Sequence, residues 1–229
     1  MSSEIKVTNI KHSSSGSNNL VLASDGNVSI TNTLSAGTLG SSVVFPAGTI
    51  LQVVGKTITA NTISLTENST SQWYAVETSS GNIKFEVDLI PKQTNSNFHI
   101  ILTVSLGGQG SSEGAILVQR GYDSSGGTSY TYSDTGFKGD AQPNATPVTM
   151  TMAFDLGTTG ESSSQTFTRT TNIWDQDFSY VSGGRIQYKV YWRNLLNDGN
   201  IYFNRPADAT NAERALSISS IVVYEIAGT

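Results

Sequence analysis

Few side chains in this 229-residue chain could act as a nucleophile or a general base. The chain has no cysteine and two histidines, His12 and His99. A serine hydrolase would have to use His99, yet no Gly-x-Ser-x-Gly motif precedes a helical segment. We interpret His99 as a strand residue that faces a neighbouring strand or a subunit interface, and His12 as solvent-exposed. The sequence therefore predicts no catalytic residues.

Carboxylates offer two other kinds of chemistry, a metal site and a glycoside hydrolase pair. Asp123, Asp175 and Asp177 could supply oxygen ligands to Ca²⁺, but the chain has neither an EF-hand loop nor a Gly/Asp nonapeptide array. A catalytic pair assembles in space, so sequence spacing does not exclude one. Glu86 and Asp88, however, lie on the polar face of an alternating segment, where a solubilising charge is the usual role. We expect no bound metal, no cofactor and no enzymatic activity.

Aromatic residues in predicted loops, in stretches rich in Ser, Gly and Asp, give a stronger functional signal. Tyr and Trp present apolar rings with polar tips, and with Ser, Gly and Asn they form adaptable recognition surfaces. A ring can stack on the C–H face of a sugar while Asp and Asn bind its hydroxyls. The same rings could instead fill core edges or subunit contacts. The candidate receptor-binding residues are Tyr122, Tyr130, Tyr132, Trp174, Asp175 and Asp177.

The elements that must position these residues are predicted to be β-strands. Residues 83–89 alternate apolar with charged side chains, and residues 98–106 repeat that period of two. Further strands are predicted at 49–58 with a turn at Gly55-Lys56, and at 115–120, 148–154, 186–192, 200–204 and 216–226. Only residues 208–216 resemble a helix, of two turns at most. Short strands separated by turns indicate an all-β domain, a β-sandwich of jelly-roll type.

Residues 18–50 have a different pattern, with apolar pairs separated by Ser, Thr, Asn and Gly. Each apolar burst is too short to bury its own face, so such a segment becomes stable only when copies stack or intertwine. We predict an N-terminal attachment and trimerising stalk over residues 1–46, intertwined in the manner of a β-helix or β-prism, and a β-sandwich head over residues 47–229. The candidate trimerisation residues are Leu20, Leu22, Val28, Ile30, Leu34, Leu39, Val43 and Phe45.

Charge and hydropathy exclude two classes of partner. The formal net charge is −5 and the chain has no cluster of Lys and Arg, so we expect no nucleic-acid binding. No segment approaches the roughly 20 apolar residues of a membrane helix, so we expect no membrane insertion. The N-terminus has no signal-peptide pattern, and the lack of cysteine favours assembly in a reducing cytosol.

The N-terminal segment also resembles a family. Residues 11–54, with the motifs Asn-Leu-Val-Leu, Asp-Gly-Asn-Val and Phe-Pro-Ala-Gly, resemble an element common in structural proteins of marine tailed phages, cyanophages especially. The strands at 98–108, 188–194, 201–206 and 217–228 are similar to the globular domain that often follows it. The resemblance implies a virion protein, a homotrimeric tail-fibre or fibre-like component that contacts other virion proteins of the tail or capsid. Such a protein would be made in the host bacterial cytoplasm and located in the virion.

Four functions are compatible with these features. The leading hypothesis is a homotrimeric phage fibre whose β head binds a host-surface glycan or protein. The second is a capsid decoration protein, a cement or head-fibre protein that stabilises the phage head. The third is a glycan-degrading depolymerase, and the fourth is a lectin-like module outside any virion.

Overall fold

The chain divides into two compact units, Met1–Val44 and Phe45–Thr229. The computed structural model describes residues 8–10, 13–14, 20–22, 24, 28–30, 45–65, 72–108, 113–132, 151–156, 166–176, 179–196, 199–208 and 216–228. The regular elements in these ranges are all strands. The segment that resembles a helix, 208–216, lies mostly outside the described residues.

Three short strands form an antiparallel sheet in the first unit: β1 (Asn9–Ile10), β2 (Leu20–Leu22) and β3 (Val28–Ile30). The central strand β2 pairs Leu20 with Ile30 and Leu22 with Val28. These four candidate trimerisation residues therefore meet within one chain through their backbones. Of the other candidates, Leu34, Leu39 and Val43 lie outside the described residues, and Phe45 is half-buried at the start of the second unit. Intertwining with other copies stays a prediction.

The second unit contains the remaining strands in two sheets. In chain order they are β4 (Ile50–Ile58), β5 (Ser64–Leu65), β6 (Tyr74–Ala75), β7 (Glu86–Leu89), β8 (Asn97–Gly108), β9 (Glu113–Asp123), β10 (Thr131–Tyr132), β11 (Met152–Asp155), β12 (Phe167–Asp175), β13 (Arg185–Asn194), β14 (Ile201–Phe203) and β15 (Ser219–Ile226).

The first of these sheets is built around β8. Strand β12 pairs with β8 along one edge, and β15 followed by β14 pairs along the other. Strand β4 extends the sheet beyond β15, and β5 extends it beyond β14. All these pairings are antiparallel.

The second sheet is built around β9 and β13, which pair over the whole length of β13. Strands β10 and β11 lie along the free edge of β9, and β6 and β7 lie along the free edge of β13. These pairings are also antiparallel. The register places β7, β13, β9 and β10 side by side.

The core lies between the two sheets. Alternate residues of β8, from Phe98 to Leu106, are fully buried, as the period of two predicts. They share one cluster with Ile221 and Val223 of β15 and with Tyr188 of β13 in the second sheet. The Phe98 and Tyr188 rings meet across the two layers at a centroid distance of 6.3 Å. The prediction of an all-β sandwich is confirmed, while its jelly-roll connectivity stays a prediction.

Two local predictions are wrong. No turn occurs at Gly55-Lys56, because β4 continues to Ile58 and Gly55 pairs with Val222. A Cβ atom at Gly55 would lie 3.0 Å from the Ile221 carbonyl oxygen, so glycine here permits close approach of β15. The second error concerns the loop aromatics: Tyr122, Tyr132 and Trp174 all lie within strands.

Candidate ligand-binding surface

The strands separate the predicted receptor-binding residues into different parts of the head. Tyr130 and Tyr132 come together on the outer face of the second sheet. Trp174 lies on the outer face of the first sheet, and Asp175 is buried between the sheets. Asp177 lies outside the described residues.

A row of polar and aromatic side chains crosses the second sheet. The register places Tyr132 opposite Gly121, Gly121 opposite Gln187, and Gln187 opposite Asp88. Tyr130, two residues before Tyr132, reaches the same row. We call Asp88, Tyr130, Tyr132 and Gln187 the Asp88 row. At about 4.8 Å between strands it spans about 14 Å.

Hydrogen bonds join the members of the Asp88 row. The Tyr130 hydroxyl donates to Asp88 Oδ1, and the Tyr132 hydroxyl donates to Gln187 Oε1. Gln187 Nε2 donates to the same Asp88 Oδ1 at 3.1 Å. The two tyrosine rings lie with centroids 6.2 Å apart and are tilted by 52°. The row is thus a connected network across four strands.

Gly121 allows the tyrosine rings to lie across the sheet. A Cβ atom there would lie 2.8 Å from Cε1 of Tyr132 and 3.0 Å from Cβ of Tyr130. A larger residue at 121 would displace the Tyr132 ring and crowd the Cβ atom of Tyr130, so this glycine is part of the surface.

Both tyrosine hydroxyls of the row are neutral donors at physiological pH. Burial raises the pKa of Tyr132 to about 12, with nearby carboxylates adding to the effect. Burial and the hydrogen bond to Asp88 also raise the pKa of Tyr130. Asp88 itself is exposed, and its Oδ2 accepts no hydrogen bond from the described residues. That oxygen is available to a ligand hydroxyl.

Charged and aromatic groups continue next to the Asp88 row. Lys189 Nζ lies 3.8 Å from Glu86 Oε2 and 5.6 Å from the centroid of the Tyr191 ring. Carboxylates, an amide, hydroxyls and an ammonium therefore share one sheet face with aromatic rings. Such a face can bind a ligand that carries many hydroxyl groups. Among the described residues no group of three His, Asp or Glu is placed to hold a metal ion.

Tyr122 and Asp175 have structural partners. The Tyr122 hydroxyl accepts a hydrogen bond from the Val181 amide at 2.8 Å, and its ring packs against the core. Asp175 is 3% exposed; it accepts hydrogen bonds from Arg120 Nη1 and, at 2.7 Å, from the Tyr188 hydroxyl. In this position Asp175 cannot contact a receptor, so its proposed role is corrected: it joins β12 of one sheet to β9 and β13 of the other.

Trp174 takes part in a stack of rings on the first sheet. Its ring lies 4.4 Å from the His99 ring at an angle of 11°, and His99 in turn stacks on Tyr224 at 5.9 Å. His99 Nε2 also lies 3.2 Å from Asn172 Oδ1. The interpretation of His99 as a strand residue that faces its neighbours is confirmed.

Sequence reasoning missed Asp88 and Gln187 as members of the candidate surface. They lie 99 positions apart, and only the pairing of β7 with β13 brings them together. The alternation of residues 83–89 placed Asp88 on a polar face, which is correct, but gave no sign of its partners.

No helix in the described ranges is long and apolar enough to cross a membrane.

No protein-family model matches the sequence, and no curated protein matches it. Among solved structures, the chain is similar to one in "Structure of infectious bursal disease virus Gx strain", with 11% sequence identity and a TM-score of 0.26. The alignment covers 86% of this chain and 42% of that one, so this chain spans less than half of its length. At that TM-score the similarity supports no inference about function.

Proposed function

We propose that this chain is a virion structural protein, a homotrimeric phage fibre whose β head binds a host-surface glycan through the Asp88 row. The virion assignment is supported by the resemblance of residues 11–54 to an element of marine tailed-phage structural proteins. The glycan assignment is supported by the chemistry of the row.

The observation that carries the proposal is the exposed Asp88 carboxylate between two neutral tyrosine hydroxyls and an amide. Sugar hydroxyls can donate to Asp88 Oδ2 and to the two tyrosine oxygens, whose own protons are donated within the row, and the Lys189 ammonium next to the row can donate to a sugar oxygen. The Tyr130 and Tyr132 rings add apolar area for the C–H groups of a sugar. A row about 14 Å long fits more than one sugar ring, so an oligosaccharide is the expected ligand.

Three copies would compensate for a weak single site. A site on an outer sheet face, with Asp88 exposed and Tyr130 and Tyr132 half-buried, binds one saccharide weakly, because water competes for each hydrogen bond. Three such rows on one particle act at high effective concentration on a polysaccharide. Avidity therefore suits attachment to a repetitive cell surface.

The test is binding of the purified full chain to an array of bacterial surface oligosaccharides and polysaccharides. We expect wild type to bind at least one class, and Asp88→Asn to lower the affinity about 10-fold or more, because a hydrogen bond to a charged group contributes about 1.5–3 kcal/mol. Tyr130→Phe removes a hydroxyl of the row, whereas Tyr74→Phe removes a hydroxyl of a half-exposed tyrosine elsewhere in the same sheet. Only the Tyr130 change should weaken binding.

Two results would contradict the proposal. The first is no binding of wild type to any glycan on the array at concentrations at which the chain is multimeric. The second is equal affinity of wild type and Asp88→Asn, with both proteins folded by circular dichroism.

A further inference from the structure

Along four neighbouring strands of the first sheet, β4, β15, β8 and β12, the outward positions carry no Asp, Glu, Lys or Arg, and the register aligns them in rows. Beyond this area, the Arg205 guanidinium lies over the Tyr202 ring of β14 in the same sheet. One row contains Val53, Tyr224, His99 and Trp174, and the next contains Gly55, Val222, Ile101 and Asn172. The following row contains only Thr and Ser. We call this surface the uncharged face.

Charged residues of the same strands point elsewhere. Arg169 of β12 donates to the Ala153 carbonyl oxygen of the second sheet and lies over the Phe154 ring. Glu225 of β15 is fully buried. Charge is therefore excluded from the uncharged face and not from these strands.

The outer face of the second sheet has the opposite character. It carries Asp88, Glu86 and Lys189 as well as polar amides. Charged residues make up 14% of the chain, and of the two sheet faces they lie on that of the second sheet and not on the uncharged face. Depletion of charge with retention of aromatic rings is typical of the core of a protein–protein interface.

Apolar side chains on the uncharged face are open in the single chain. Val53 is 52% exposed and Trp174 is 53% exposed at opposite sides of the same row. Ile50, which pairs with Ile226 at the end of β4, is 56% exposed. Together with the His99 stack they form a continuous patch across the sheet, and contiguous exposed apolar patches mark interaction sites.

We propose that the uncharged face binds a second copy of this chain. Around a closed symmetry axis, the residues nearest the axis lie next to the same residues of the other copies, so charged residues there would meet like charges. With a net charge of −5 per chain, an uncharged contact surface adds no like-charge pairs to the repulsion between copies. Of the two sheet faces described above, the uncharged face alone meets this condition.

This inference goes beyond the proposed function, which assigns no trimer contacts, and beyond the sequence prediction, which places them in residues 1–46. It assigns self-association to the head itself, and it holds whether or not the Asp88 row binds a glycan. Failure of glycan binding and failure of head contacts are therefore separate results.

A single introduced thiol tests the inference directly, because the chain contains no cysteine. Thr170 of β12 is exposed on the uncharged face, and Thr131 of β10 is exposed on a strand of the second sheet. We expect Thr170→Cys in the full chain to react with a maleimide at least about 10-fold more slowly than Thr131→Cys. The reason is that a second copy covers position 170 and leaves position 131 open.

Two charge substitutions, one on the uncharged face and one outside it, test whether a second copy of the chain covers position 170. Val53 and Val181 are 52% and 54% exposed, but only Val53 lies on the uncharged face. Val53→Glu in the Thr170→Cys chain should restore fast labelling, because the contact between copies would then bury an unpaired charge, while Val181→Glu should leave labelling slow.

Three results would overturn the proposal. Equal labelling of Thr170→Cys and Thr131→Cys would show that the face is open in solution. Slow labelling of Thr170→Cys in a chain that light scattering finds monomeric would show that no second copy covers it. Unchanged slow labelling in the Val53→Glu chain would place the copy contact elsewhere.

Discussion

Asp175 shows how the position of one carboxylate in the sandwich decides its role. It follows Trp174 directly, yet Trp174 is half-exposed while Asp175 is 3% exposed. Successive strand residues face opposite sides, so the two side chains belong to different environments. Asp175 pairs with Arg120 and Tyr188. Burial and this carboxylate raise the pKa of Tyr188 well above its usual value.

We predict that Asp175→Asn destabilises the head and leaves glycan binding unchanged. The amide leaves the partly buried Arg120 guanidinium without its counter-charge, which should lower the free energy of unfolding by about 2 kcal/mol. Urea unfolding followed by tryptophan fluorescence measures this. Asp88→Asn is the matched change: it should weaken binding and shift the unfolding midpoint little. An unchanged midpoint for Asp175→Asn would contradict the structural role.

At the residue scale, sequence patterns indicated the chemistry of individual side chains better than their location in the fold. Tyr130 and Tyr132, two of the candidate receptor-binding residues, lie next to each other on the second sheet, and their binding role stays a prediction. Trp174 and Asp175 were misplaced because residues 167–175 lack a clear apolar alternation. Between Phe167 and Ile173, the alternate positions on the core side of β12 are occupied by Arg169 and Thr171. Because polar residues stand where a strand pattern would have apolar ones, β12 resembles a loop in the sequence.

Strand β15 holds the segment between β7 and β8 in place through hydrogen bonds to one of its side chains. Its Glu225 is fully buried and accepts hydrogen bonds from the Lys92 amide at 2.7 Å and the Ser96 hydroxyl at 2.6 Å. The Gln93 amide and Gln52 Nε2 also donate to it, at 3.2 and 2.5 Å. Lys92, Gln93 and Ser96 donate to Glu225 Oε1 and Gln52 Nε2 donates to Oε2, so both oxygens of the carboxylate act as acceptors.

Glu225→Gln should therefore destabilise the head and loosen residues 92–96. Its side-chain N–H groups would face other donors, and the expected loss is about 3 kcal/mol. Glu86→Gln provides the control, since the partly exposed Glu86–Lys189 pair contributes under about 1 kcal/mol. Hydrogen exchange of the Lys92 and Gln93 amides measures the local effect. Equal exchange in wild type and Glu225→Gln would contradict it.

At the element scale, strands with a strict period of two were predicted well. Residues 98–106 and 186–192 alternate clearly, and β8 and β13 are the central strands of the two sheets. Gly55 was misread as a turn because a glycine that permits close strand approach has the same sequence signature as one that reverses the chain. Pairing partners such as β7 and β13 depend on contacts about 100 positions apart, which local pattern does not encode.

The whole head has two outer faces with different chemistry. One carries the Asp88 row with charges and hydroxyls, and the other carries the uncharged face with a stack of aromatic rings. If copies meet through the uncharged face, each copy keeps its Asp88 row open to solvent. A trimer built in this way presents three equivalent rows, which is the arrangement that avidity requires.

The most direct measurement is a crystal structure of the full chain with an oligosaccharide selected on the glycan array. We expect a sugar in contact with Asp88 and the Tyr130 and Tyr132 rings, once in every copy. We also expect copies to contact one another through the row that contains His99 and Trp174. A sugar stacked on Trp174, or copies that cover Asp88, would contradict both proposals.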